Sequence, residues 1–212
     1  MSSPVIRLYS ASPRRRDLMN QAGLPFTVHP TDTDETVPPG TGTEEAARLI
    51  SRRKLDAALT GNPENIHHWG LAADTLVEGP GGPFGKPGDR DEACSMLRAL
   101  SGTSHRVVTG LALWIPEEPE QPAQNQQDPR NETSRHPVTE TVVTTVGFRS
   151  LSQNEIDRYL DTNEWQGVAG AYRIQGRAAL FINHLEGIWS NVVGLPLSAL
   201  YGMLTRVCYP FE

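Results

Sequence analysis

The stretch Leu8-Tyr9-Ser10-Ala11-Ser12-Pro13-Arg14-Arg15-Arg16-Asp17-Leu18 decides the fold. Val5, Ile6, Leu8 and Tyr9 read as a short buried strand, and Ser12 followed by Pro13 reads as an N-cap with proline at the first helical position. A strand therefore turns directly into a helix. That helix is expected to end at about Gly23, with Leu18 and Ala22 four apart on its inner face. Its first turn holds Arg14, Arg15 and Arg16, although cations there oppose the positive end of the helix dipole at about 0.3 to 1 kcal/mol each when exposed. Two readings stand side by side. Either this is a solvated basic helix start, or free amides, two serine hydroxyls and guanidinium forks converge on a polyanion, most simply the phosphates of a nucleotide.

A chain of 212 residues can bury a proper core without staples, as one large domain or two small lobes, and we take 1–212 as a single domain. With 37% hydrophobic and 21% charged residues, the composition is that of an ordinary globular protein. The net charge of -6 argues against a general nucleic-acid surface, which requires a broad basic face. No apolar run approaches a membrane span and no signal-peptide h-region is evident, so the expectation is a cytoplasmic protein with neither nucleic-acid nor membrane partners. Cys94 and Cys208, both inside amphipathic helical patterns, read as reduced core residues.

Along the chain, Phe26-Thr27-Val28 reads as a returning strand, followed by an acidic patch from Thr31 to Glu35. Thr43-Glu44-Glu45 opens a helix in which Ala47, Ile50, Lys54 and Ala58 share one face. Lys54 interrupts that stripe, either snorkelling to the rim of the core or reaching for a phosphate. Gly70 to Val77 is a strand of small and branched residues broken only by Asp74, which is either a strand-end cap or a carboxylate at the floor of a cleft. After a Gly-Pro turn, Phe84-Gly85-Lys86-Pro87 returns a second lysine, and Asp89 to Gly102 forms a helix with Asp89 and Glu92 as a capping-box-like start. Strands are expected over His105–Ile115 and Val138–Phe148, separated by a Glu-, Gln-, Asn- and Pro-rich stretch, 116–137, that reads as a flexible insertion. Ser152-Gln153-Asn154-Glu155 is a second capping box, with Leu151 and Ile156 at the staple positions. Three small residues in Ala169-Gly170-Ala171-Tyr172 allow close backbone approach, and Gln175 offers an amide able to read a base edge. A strand from Phe181 to Leu185 precedes the last helix, whose Leu197, Leu200, Tyr201, Leu204 and Val207 are expected to face inward.

Taken together, Ser10-Ala-Ser-Pro-Arg-Arg15, Ala73-Asp-Thr75, Gly85-Lys-Pro87, Leu100-Ser-Gly102 with His105, Phe148-Arg-x-Leu-Ser152, Ala169-Gly-Ala-Tyr172, Ile174-Gln-Gly176 and Val193-Gly-Leu-Pro196 resemble the Maf family of nucleoside triphosphate pyrophosphatases. The resemblance spans nearly the whole chain. It implies a mixed-sheet α/β fold of the Maf and inosine triphosphatase kind, with two lobes enclosing a nucleotide cleft and homodimers often formed. It also implies cleavage of a nucleoside triphosphate to monophosphate and pyrophosphate with a divalent metal, Mg²⁺ or Mn²⁺. The Ala-Gly-Ala-Tyr and Ile-Gln-Gly motifs resemble the subgroup acting on dTTP and UTP. Carried over by position, Asp74 matches the catalytic carboxylate. Arg14, Thr75 and Gln175 match specificity positions; Ser10, Arg15, Lys54 and Lys86 match phosphate-side positions. Glu35 would join Asp74 as a metal ligand. This chain departs from the subgroup in having Gly167-Val168 where Asp-Lys is usual and Arg173 where Gly is usual.

Two further expectations attach to these residues, and two rival readings stand beside them. Arg15→Ala should cost activity and no thermal stability, since the lost cation opposed the helix dipole. Selectivity through Gln175 requires that neighbours within Gly170–Gly176 fix its amide orientation. The rival readings are a pyrophosphatase for another modified nucleotide and a nucleotide-binding regulator of cell division with little turnover. No Gly-rich run ends in Lys-Ser or Lys-Thr, which disfavours kinase-like or GTPase chemistry.

Overall fold

A computed structural model describes residues 3–80, 82–116 and 137–211. The expected insertion 116–137 lies, apart from its flanking Pro116 and Pro137, outside the described residues. The strand-to-helix turn of the opening motif is present: β1 (Ile6–Leu8) turns into α1 (Pro13–Gln21), with Ser12 extended before Pro13. However, Val5 lies outside the strand and is 48% exposed, and the Ser12 side chain makes no capping hydrogen bond. β2 (Phe26–Val28) returns parallel to β1. α2 (Thr43–Gly61) then leads to β3 (Gly70–Gly79), which lies parallel to β1 on its other side. From β3 onward the pairing is antiparallel, through β4 (Gly82–Phe84), β5 (Ser104–Trp114), β6 (Val138–Phe148) and β7 (Ile182–Glu186). The mixed seven-stranded sheet runs β2-β1-β3-β5-β6-β7, with β4 beside β3. Four helices complete the fold: α3 (Arg90–Leu100), α4 (Gln153–Leu160), α5 (Trp189–Val193) and α6 (Leu197–Arg206).

The period-two alternation of strands assigns the two faces of the sheet. Leu71, Ala73 and Val77 of β3, with Val107, Leu111 and Leu113 of β5, join the main core formed with α1, α3, α4 and α6. Ala72 and Ala112 point the other way and pack with Tyr9 against Leu55 and Ala58 of α2. Small residues on that face bring α2 close. The tightest point is Gly110, where a Cβ would stand 2.2 Å from the Ala47 carbonyl oxygen of α2. Capping follows the sequence signals: the Asp89 carboxylate accepts from the Glu92 amide at 2.8 Å, and the Ser152–Glu155 capping box is complete.

Three expectations are corrected. Ala22 is exposed, because α1 ends at Gln21 and Ala22 is already its cap; Leu18 and Met19 are the buried pair. On α6 the inward stripe is Leu200, Met203 and Leu204, whereas Tyr201, one position off that stripe, is 60% exposed and rests on Phe211. The two cysteines are free but not core residues: Cys94 is half-buried at the edge of α3, and Cys208 is exposed just past α6 at φ 55°. A left-handed residue ending a helix turns its side chain away from the packed stripe.

Under the segment after α4 lies an aromatic cluster in which His105 is 4% exposed and edge-on to Phe148 and Tyr172. Its Nε2 is 2.8 Å from the Tyr172 hydroxyl, and its Nδ1 is buried without a partner among the described residues. Burial pushes the imidazole pKa down to about 4. The folded protein thus keeps His105 neutral at pH values where the unfolded chain, titrating near its ordinary 6.5, takes up a proton. Stability from this group is fully present above about pH 6.5 and declines as pH falls from there toward about 4, by up to roughly 3 kcal/mol. Denaturant unfolding at a series of pH values should show this slope in the wild type, and His105→Gln should flatten it between those limits. An unchanged slope in the variant would refute the assignment.

Candidate active site

Asp74 and Thr75 are consecutive on β3 and so project to opposite faces, and each face supplies a different set of partners. On the α2 face, Asp74 is 6% exposed, and Lys54 Nζ lies 2.5 Å from its Oδ1 and 2.7 Å from Glu35 Oε1. The lysine bridges two carboxylates. Asp74 pairs in register with Gly110 on β5, which is where α2 touches the sheet, and Lys54 lies two helical turns beyond Ala47. The close approach of α2 is therefore what delivers the ammonium to Asp74. Burial works to raise the Glu35 carboxyl, but the hydrogen bond from Lys54, with the charges of Lys54, Lys86 and Arg15, outweighs it and holds the pKa below the ordinary carboxylate value.

On the other face, Arg15 is 8% exposed and spends three donors on neutral acceptors. Its Nε donates to the Gly194 carbonyl at 2.8 Å, one Nη to Ser10 Oγ at 3.0 Å and the other to Thr75 Oγ1 at 3.1 Å. Thr75 continues the chain to Thr109 Oγ1 at 2.9 Å, which reaches the Asn191 carbonyl, while the Asn191 amide donates to Thr144 Oγ1 and the Val107 carbonyl, both at 3.0 Å. This polar ladder ties α1, β3, β5, β6 and α5 together. Sequence reading missed Thr109, Thr144 and Asn191, since threonine in a strand is no more than ordinary β-propensity. The expectation that Arg15 matters to phosphate alone is corrected: a buried guanidinium with three bonds is structural as well. Its pKa is lowered by burial, against the raising influence of Asp74 and Glu35.

The third wall is the segment 168–176. Gly170 has φ 70°, and a Cβ there would meet Val77 at 2.9 Å; its amide donates to the Gly85 carbonyl at 3.2 Å, which places Lys86 beside this wall. Ala171 follows at φ 61°, a strained conformation for a residue with a Cβ. Gly176 lies against the Glu164 carboxylate, which also accepts from the Arg177 amide at 2.8 Å, so the backbone just after Gln175 is fixed. Its side chain is not. Among the described residues no group hydrogen-bonds the Gln175 amide, so the expected lock on its orientation is not found there.

These walls enclose a cavity of about 370 Å³, of the size of small-molecule sites. Ser10, Arg14, Arg15, Glu35, Lys54, Asp74, Thr75, Lys86 and Gln175 all line it, so the structure brings every residue singled out in the sequence to one place. Arg173, Tyr172 and Val168 line it too. Five cations face two carboxylates in a chain whose net charge is -6. Arg14 has no hydrogen bond or ion pair among the described residues, and burial, followed by the charges of Arg15 and Arg173, pushes its pKa down to about 10. Such a surface is short of anionic partners. Glu35 and Asp74 also suit a hard divalent cation, which binds to one or two carboxylates and completes its shell with water and substrate phosphate; among the described residues no third acidic, His or Cys ligand joins them.

An α/β chain with a carboxylate under a cationic cleft is the class that this geometry defines. The sequence profile of the Maf-like proteins matches residues 5–207, and the chain belongs to that family. A dTTP/UTP pyrophosphatase from Pelotomaculum thermopropionicum is 44% identical over 96% of this chain and 97% of its own length. One from Syntrophomonas wolfei subsp. wolfei is 40% identical over 93% and 94%. Another, from Anaeromyxobacter dehalogenans, is 40% identical over 98% and 96%. The solved structure of a nucleoside-triphosphatase, dITP/XTP pyrophosphatase, from Mycobacterium abscessus has a TM-score of 0.40 at 13% identity, covering 96% of this chain and 97% of that one.

Arg15→Ala should lower stability by roughly 2 to 4 kcal/mol, because it strands the Gly194 carbonyl and opens the ladder at Thr75. A thermal melt measures this, with a fall in Tm of about 5 °C or more expected. An unchanged Tm would return Arg15 to a role toward phosphate alone.

Proposed function

We propose that this chain is a nucleoside triphosphate pyrophosphatase that hydrolyses dTTP and UTP to the monophosphate and pyrophosphate. The observation that carries the reading is the placement of one buried carboxylate, Asp74, in a cavity with five cations. A triphosphate supplies the anionic partner that Arg14 and Lys86 lack at contact distance among the described residues. The family membership and the names of the relatives support the same substrate class.

The chemistry follows from the residues. Asp74 holds a water by hydrogen bond and accepts its proton as the water oxygen bonds to the α-phosphorus. The bond from that phosphorus to the bridging oxygen breaks, and pyrophosphate leaves with the electron pair. Charge grows on the leaving group, and Arg15, Lys86 and Lys54 are fixed or tethered cations that stabilise it without reorganisation. Lys54 also stands between Asp74 and Glu35 as their shared ion-pair partner. Glu35 and Asp74 would hold the Mg²⁺ or Mn²⁺ ion, which when bound supplies further neutralisation of phosphate charge. Gln175 faces the base: thymine and uracil share an O4 and N3–H edge that matches an amide acceptor and donor.

A screen of nucleotides for pyrophosphate release in Mg²⁺ or Mn²⁺ tests the reading, with dTTP and UTP expected to turn over fastest. Nucleotide binding with no pyrophosphate release from any triphosphate would overturn it. Asp74→Asn, nearly isosteric, should fold normally and lose roughly 10² to 10⁴ in rate; retention of more than about a tenth of the wild-type rate would remove Asp74 as the proton acceptor.

Gln175→Ala should lower kcat/KM for dTTP and UTP by about tenfold and change CTP less. Because the amide is free to turn, the wild-type preference for UTP over CTP should be smaller than roughly 10²-fold. A uniform loss across the three nucleotides would place Gln175 outside base recognition.

A further inference from the structure

The segment that carries Gln175 is held from behind the cavity. Two residues before Gln175, the Arg173 amide donates to Tyr159 Oη at 3.1 Å; two residues after it, the Arg177 amide donates to Glu164 Oε2 at 2.8 Å. Between these anchors the chain turns, with the Gly176 amide on the Arg173 carbonyl at 3.0 Å and Ile174 buried in the core. Tyr159 belongs to α4 and Glu164 to the turn that follows it, and neither lines the cavity. That turn is itself fixed. The Thr162 hydroxyl donates to the Tyr159 carbonyl at 2.7 Å and accepts from the Glu164 amide at 3.2 Å, while the buried Trp165 donates its indole N–H to the Leu160 carbonyl at 3.0 Å. Gly176 completes the arrangement. A φ of -108° in extended backbone does not call for glycine, but a Cβ there would stand 2.1 Å from Glu164 Oε2. The carboxylate occupies the space that a side chain at 176 would need.

We infer that Glu164 is a positioning residue for base recognition: from outside the cavity its carboxylate sets where Gln175 stands, while Tyr159 holds the other end of the same turn. A side chain that reads a base edge must be held to within ~0.5 Å of its productive place. Gln175 is exposed, and no group among the described residues hydrogen-bonds its amide, so its placement comes from its backbone. The backbone anchor after it is Glu164, and an ionised acceptor grips an amide N–H more strongly than a neutral one does. Arg15 and Lys54 stand on α1 and α2, outside this turn. Loss of Glu164 therefore loosens the base-reading residue and leaves the phosphate-side cations where they are. The inference rests on the reading of Gln175 as the residue that faces the base.

Equilibrium calorimetry with UMP, CMP and inorganic tripolyphosphate tests this without turnover, since the first two differ at the base edge and the third has no base. The wild type should bind UMP more tightly than CMP. Glu164→Ala should weaken UMP by about fivefold, CMP by less and tripolyphosphate by less than about twofold, so that the preference narrows. Glu164→Gln should keep most of the preference, because its carbonyl oxygen still accepts from the Arg177 amide. Gly176→Ala, whose methyl group displaces the carboxylate, should reproduce the Glu164→Ala pattern, and the double variant should lose no more than either single one. Equal weakening of all three ligands would make Glu164 a general structural residue and overturn the inference. An unchanged preference, or losses that add in the double variant, would overturn it too. If Glu164→Ala melts early, Gly176→Ala is read under the same criteria. A wild type with no preference for UMP over CMP would overturn the inference together with the role of Gln175, and pyrophosphate release is then decided separately by the nucleotide screen. The expected binding pattern in a protein that releases no pyrophosphate would defeat the functional reading and leave the positioning role standing.

Discussion

The bridge from Lys54 to Asp74 and Glu35 is the constraint on which the site depends. A carboxylate that is 6% exposed is costly to keep charged unless a cation stands beside it, and the cation must come from an element packed directly on the sheet. α2 meets that requirement because Ala72, Ala112 and Gly110 leave no bulk beneath it. Packing at Gly110 and charge at Asp74 are thus one problem, joined by register: the two residues are cross-strand partners. A buried ion pair is weak evidence for stability, since desolvation offsets most of its Coulomb energy. Its value here is that it keeps a basic oxygen in the cavity.

The opposite face of β3 solves a different problem. Thr75 cannot be replaced in the ladder by an apolar residue of its size, because it accepts from Arg15 and pairs with Thr109. Through Thr109 and Asn191 the same chain of bonds fixes α5, whose cap Gly194, at φ 125°, turns its carbonyl onto Arg15. The helix start that opens the chain is therefore locked by residues near its far end. Rigid placement of the first turn of α1 follows, and a rigid cation does more for a developing charge than a mobile one.

The legible part of the sequence was the part with local grammar. Asp89 with Glu92 and Ser152 with Glu155 announce helix starts through backbone amides within three residues, Pro13 marks the first helical position of α1, and each lies where the chain said it would. The strand carrying Asp74 was equally plain, because one acid among small apolar residues has few structural uses. What was not legible depends on partners distant in sequence. Gly110 looks like a weak point in a strand until Ala47 is above it. Arg15 looks like a misplaced cation until Gly194, 179 residues on, accepts its Nε. Tyr201 fails for a simpler reason: helical periodicity gives a stripe, and a position at its margin goes to whichever side has a partner, here Phe211.

The charge distribution carries the argument one step further. A protein of net charge -6 repels a triphosphate at long range, which leaves the cavity as the place where attraction can overcome that field. Within the cavity, Lys54 at contact distance offsets one of the two negative charges of Asp74 and Glu35, so part of their charge is spent locally. Arg14, Arg15, Lys86 and Arg173 have no carboxylate at that distance among the described residues, and their fields extend into the opening. These cations outnumber the one negative charge that Lys54 leaves unbalanced, so the cavity as a whole remains positive. An anion in the cavity is therefore held by a surplus of positive charge even where it approaches Asp74, the buried acid of the pair.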